Sequence, residues 1–166
     1  MLKIALIEDK PEEMERAQRA VVEASIAIHT DIEWEAFHMD MVPLESVFDR
    51  LEEMRDTGAL SGVITDLHFY PRVGRDSGLD LDTVKKLRQD PPPAGLAVVI
   101  WCAARGIPVA VCTDSYHHGA DVTWFNDVGL RSRDLFSLTD DCDHEGKRWI
   151  SAVSSLLGLI KRREKK

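Results

Sequence analysis

Three short apolar runs, each stopping at a polar or acidic group, constrain this chain more than any other feature. Leu2 to Ile7 runs into Glu8-Asp9, the run from Gly62 to Leu67 carries Asp66, and Ile107 to Cys112 runs into Thr113-Asp114. A continuous apolar run too short for a helix reads as a strand buried on both faces, which is the habit of a parallel sheet. Two further strands are weaker: Ile32 to Met39, with polar residues interleaved as near a sheet edge, and Leu135 to Leu138.

Helical spacing fills the gaps. Pro11 suits a first helical position, and Glu12 and Glu13 follow in the turn where the helix dipole favours anions. Met14, Ala17, Val21, Ala24 and Ile28 then recur on one face. Pro43 opens a second helix with Leu44, Val47, Leu51 and Met54 inward, and Gly58 can end it. A helix from near Gly78 breaks at Pro91-Pro92-Pro93. The stretch from Ala94 to Arg105 is apolar nearly all round and reads as a buried helix closed by Gly106. A short helix over Ala120 to Val128 precedes the fifth strand. The last helix sets Trp149, Ile150, Val153, Leu156, Leu157 and Ile160 on one face.

Strands separated by helices imply βαβ units and right-handed crossovers. The expected fold is α/β: a flavodoxin-like, doubly wound, five-stranded parallel sheet of order 2-1-3-4-5. Helices cover both faces, with an extra helix between strands 3 and 4. The 166 residues suit a single domain over residues 1–166.

A net charge of −8 argues against a general nucleic-acid binder, because phosphate contacts need clustered Lys and Arg. The basic run Lys161 to Lys166 suits the end of a final helix. No apolar run approaches the roughly 20 residues of a bilayer span, and Met1 leads directly into a strand pattern. The expectation is a cytoplasmic protein with no membrane association. Cys102, Cys112 and Cys142 lack metal spacing and read as free thiols.

In such a sheet, ligands bind outside the carboxyl ends of the central strands. Strands one, three and four would bring Glu8, Asp9, Asp66, Thr113 and Asp114 to one crevice. Acids also decorate exposed loop ends with no such purpose. Three adjacent strand ends carrying them is a different matter, because their mutual repulsion calls for a hard divalent cation such as Mg²⁺, bound weakly.

These residues resemble a known family. The segment Ile4-Ala5-Leu6-Ile7-Glu8-Asp9-Lys10-Pro11 is similar to the start of a bacterial response-regulator receiver domain of the chemotaxis type. Val63-Ile64-Thr65-Asp66-Leu67-His68-Phe69-Tyr70-Pro71 is similar to its third strand and phosphoacceptor turn. Ser77-Gly78-Leu79-Asp80-Leu81 and Val109-Ala110-Val111-Cys112-Thr113 resemble its next helix start and its fourth strand. The likeness runs, with interruptions, from Met1 to about Ala120. It implies Asp66 at the phosphoacceptor position, Thr113 as the switch hydroxyl, and Mg²⁺ held by Glu8, Asp9, Asp66 and the backbone carbonyl of His68. It also implies two-component signalling by phosphorelay, with another signalling protein, such as a histidine kinase, as partner of a monomer or homodimer.

Receivers also place a lysine after strand five. Leu135 to Asp141 contains none, and Lys147 reads as part of the last helix. Asp114, directly after the switch hydroxyl, adds negative charge. The expectation is a stand-alone, atypical or degenerate receiver-like module with little stable acyl phosphate; Arg72 or Arg75 would be the substitute cation. The alternative is a Mg²⁺-dependent phosphoryl-transfer or phosphatase enzyme using Asp66. His117 and His118, beside Tyr116, read as solvated loop residues before a metal pair. Trp34, Trp101, Trp124 and Trp149 read as core or subunit contacts.

Overall fold

The β-branched and aliphatic runs pair as expected. A computed structural model of the chain describes residues 1–69, 93–114, 135–139, 142–143 and 146–165. Strands β1 (Leu2–Glu8), β2 (Ile32–His38), β3 (Gly62–Thr65), β4 (Val109–Cys112) and β5 (Phe136–Thr139) form one sheet of order β2-β1-β3-β4-β5. Every neighbouring pair in it is parallel. Four helices accompany them among the described residues: α1 (Pro11–Ile28), α2 (Leu44–Asp56), α3 (Gly95–Ala104) and α4 (Trp149–Arg163). The fold is α/β and flavodoxin-like, and α3 is a helix between strands 3 and 4.

Side chains alternate across the pleat and build two cores. Ala5, Ile7, Val63, Val109 and Val111 meet α2 and α3 through Val47, Leu51, Val98, Val99 and Cys102. Ile4, Leu6, Ile64, Ala110 and Cys112 meet α1 and α4 through Met14, Ala17, Val21, Val153 and Leu156. Fully burying one such side chain is worth about 1.5–3 kcal/mol, so both faces of β1, β3 and β4 are committed. Only the strand ends are left for chemistry.

Three local expectations change. Ile150 and Ile28 are exposed rather than inward, because their helices bury a narrower stripe: Ala152 and Leu159 on α4, Ala17, Ala20 and Val21 on α1. Helix α3 buries Val98, Val99 and Cys102 but leaves Ile100 exposed, so its apolar circumference is only partly covered. Trp34 on the edge strand β2 is half-exposed, whereas Trp149 is buried. Cys102 and Cys112 are buried free thiols. The helices expected from Gly78 and over Ala120 to Val128, and Trp124, lie outside the described residues. No helix among the described residues is long and apolar enough to cross a membrane.

After β5 comes an element the sequence did not announce. The short strands β6 (Cys142–Asp143) and β7 (Gly146–Lys147) form an antiparallel hairpin. Gly146 has φ +119°, and a Cβ there would run into Arg16 and Glu13 of α1. Glycine is needed at that point, and it lets the chain pass close against α1 just before Lys147.

Candidate functional site

The site is built at the carboxyl ends of β1 and β3. Glu8 ends β1, and its Oε1 accepts the backbone N–H groups of Asp9 and Lys10, each at 3.0 Å. These bonds fold the carboxylate back over the entrance to α1. Asp66 follows β3. Its Oδ1 accepts the N–H of Leu67 at 2.7 Å, and its own N–H donates to the Ile7 carbonyl at 2.9 Å. Helix α3 starts directly on top: the Gly95 N–H donates to the Leu67 carbonyl at 3.0 Å, and any Cβ at Gly95 would strike the Asp66 backbone.

Glu8, Asp9 and Asp66 each offer a carboxylate oxygen, and the three oxygens lie within 4.8 Å of one another. Into this group comes Lys147. Its ammonium donates to Glu8 Oε2 at 2.5 Å and lies 2.7 Å from Asp66 Oδ2. The side chains of Lys147, Glu8 and Asp66 are 0%, 0% and 1% exposed. The expectation that Lys147 belongs to the last helix is therefore wrong. Lys147 precedes α4 and sits in β7, because the β6–β7 hairpin intervenes between β5 and the helix. A lysine does stand among the strand-end carboxylates.

Neighbouring groups hold it there. Arg16 reaches the Lys147 carbonyl at 3.4 Å and pairs with Glu13 at 3.1 Å. The Trp149 indole N–H donates to the other Glu13 oxygen at 2.7 Å, and the Lys147 ammonium lies 5.8 Å from the Trp149 ring. Glu13 thus ties α1 to the start of α4 just after the lysine.

Burial dominates the electrostatics. It pushes the Glu8 carboxyl up to about 8, against the pull of the Lys147 charge and with a further rise from Asp66. Asp66 is also raised by burial, with Lys147 and the Leu67 N–H opposing. Burial works against the charge on Lys147, but Asp66 and Glu8 together lift its pKa above the ordinary lysine value. Three carboxylates facing one ammonium leave an excess of two negative charges when all are ionised. A hard divalent cation matches both that excess and the all-oxygen donor set. The residues present therefore fit such an ion.

Thr113 follows β4 and is buried, its N–H donating to the Thr139 carbonyl at 2.9 Å. His68 is the second residue of the turn after Asp66 and is half-buried. Asp114 does not add an uncompensated charge: its Oδ2 pairs with Lys10 Nζ at 3.1 Å, with side chains 46% (Lys10) and 45% (Asp114) exposed. Burial would raise the Asp114 pKa, but the hydrogen bond from Lys10 and the charges of Lys147 and Lys10 bring it below the usual carboxylate range. Arg72, Arg75, Tyr116, His117 and His118 lie outside the described residues.

No protein-family model matches the chain, and no curated protein matches it. A solved structure similar to it is the crystal structure of a response regulator in red light signaling of R. palustris. That likeness has 14% identity and a TM-score of 0.42, over 98% of this chain and 91% of the other. The fold stands on the strand order and register given above.

Proposed function

We propose that the chain is a receiver-like signalling module whose Asp66 accepts a phosphoryl group, with Lys147 as the internal counter-cation. The observation that carries this reading is the buried Lys147 ammonium, held on Asp66 and Glu8 together. An acceptor carboxylate must remain ionised in a dry crevice, and a desolvated ammonium beside it is the means. It must also tolerate close to two further negative charges once phosphorylated. Lys147 removes the electrostatic objection that its absence would have raised.

The step is a displacement at phosphorus. An Asp66 carboxylate oxygen forms the new O–P bond, and the bond from phosphorus to the leaving group of an acyl phosphate or phosphohistidine donor breaks, its electron pair departing with that group. Glu8, Asp9, Asp66 and the His68 carbonyl would hold Mg²⁺, which when bound screens the charge between nucleophile and phosphoryl oxygens. The Thr113 hydroxyl would donate a hydrogen bond to the phosphoryl group and signal its arrival. The partner in this reading is another signalling protein, with a histidine kinase as the natural donor, and the module works as one domain in the cytoplasm.

Two measurements test it. Incubation with Mg²⁺ and acetyl phosphate, followed by intact-mass spectrometry, should add one phosphoryl group to the wild type and none to Asp66→Asn. No added mass in the wild type sinks the acceptor role; continuous release of phosphate with turnover would favour the enzymatic alternative. Millimolar Mg²⁺ should also raise the melting temperature of the wild type but not of Asp9→Ala. An equal rise in both removes the metal site.

A further inference from the structure

Strands β1 and β4 are not neighbours: β3 lies between them. Lys10 stands just past the end of β1 and Asp114 just past the end of β4, yet their side chains meet at 3.1 Å. The ion pair therefore bridges across the carboxyl end of β3, where Asp66 lies at the bottom of the crevice. We infer that Lys10 is a second binding residue for an anionic phosphoryl group at Asp66, held in reserve by Asp114 and released to the ligand by exchange of partners. This rests on the acceptor reading of Asp66 and adds a residue that the reading does not require.

The physical case has two parts. An ion pair this exposed is weak and screened by salt, so it can open without disturbing the fold. A phosphoryl group carries close to two charges and three strong acceptor oxygens, against one charge on Asp114, so the ammonium gains by changing partner. In the resting state Asp114 keeps Lys10 away from the buried carboxylates, where a second ammonium would compete with Lys147 and with any divalent cation. Once Lys10 changes partner, the Asp114 carboxylate is left beside an anion, and repulsion turns that side chain outward.

The initial rate of phosphoryl mass gain from acetyl phosphate and Mg²⁺ should be compared in the wild type, Asp114→Ala, Lys10→Ala and the double variant. Asp114→Ala should label several-fold faster, because Lys10 is free from the start. Lys10→Ala should label several-fold slower, Lys10→Arg should recover most of the loss, and the gain from Asp114→Ala should vanish when Lys10 is absent. A gain from Asp114→Ala that persists in full without Lys10 overturns the exchange, since removal of a negative charge alone then explains it. No mass gain in any of these proteins instead overturns the acceptor reading, and this inference falls with it. Unchanged melting temperatures in the variants confirm that folded proteins are being compared.

Discussion

Glu8 and Glu35 each have a cationic partner close at hand, and they respond to it in opposite ways. Glu35 receives Arg50 through two bonds of 2.6 and 3.0 Å and Lys3 at 3.4 Å, on the outer edge of the sheet. Its pKa falls, chiefly through the Arg50 hydrogen bond. Glu8 receives Lys147 at 2.5 Å and two backbone N–H groups, yet its pKa rises to about 8 because burial outweighs its partners. The difference shows that the cation is not what sets the character of a paired carboxylate here. Water is. At the sheet edge solvent carries most of the charge and the pair adds little. At the strand ends Lys147 supplies the opposite charge that water does not, and it serves Asp66 as well as Glu8.

The sharpest way to break that contrast is Lys147→Ala. It leaves two buried carboxylates without their cation, and the loss should be about 3–5 kcal/mol in urea unfolding at pH 8. The loss should shrink at pH 5, where protons replace the missing ammonium. A loss equally large at both pH values would mean that the side chain acts by packing alone.

A smaller effect follows from pH alone. The native Glu8 holds its proton to about 8, whereas the unfolded group releases it near the ordinary value of 4.5. Between those values the native state binds more protons than the unfolded one, so stability is full below pH 4.5 and declines as pH rises toward 8. The decline should amount to a few kcal/mol in metal-free protein. Glu8→Gln should flatten it, and a steep decline surviving in that variant would transfer the effect to Asp66. At the weak end, Arg50→Gln should leave the urea midpoint where it is at moderate salt. A clear shift there would mean that the edge network is stiffer than its exposure implies.

Much of this was legible in the sequence, for identifiable reasons. The runs Leu2 to Ile7, Gly62 to Thr65 and Ile107 to Cys112 are apolar without alternation, a pattern that only a covered parallel sheet accommodates, and strand order follows from crossover handedness. Glu8, Asp9 and Asp66 were found because strand ends are fixed by the same runs. Lys147 was missed because helical periodicity from Trp149 onward can be extended backward through it, and because a hairpin as short as β6–β7 leaves no periodic trace. One signal was available: Gly146 beside a lone lysine just ahead of an apolar helix. The Lys10–Asp114 pair was invisible for another reason. Each residue follows a different strand, and only the three-dimensional order brings the two together across β3.

The bridge between Phe69 and Pro93 has a consequence for variation in length. These residues pair side by side, and Gly95 closes on Leu67 directly after them, so the backbone before and after this interval is tied to the turn that carries Asp66. The entropy of closing such a segment grows only with the logarithm of its length. A change of length between Phe69 and Pro93 therefore keeps the seat of Asp66 only where Phe69, Pro93 and Gly95 keep these contacts.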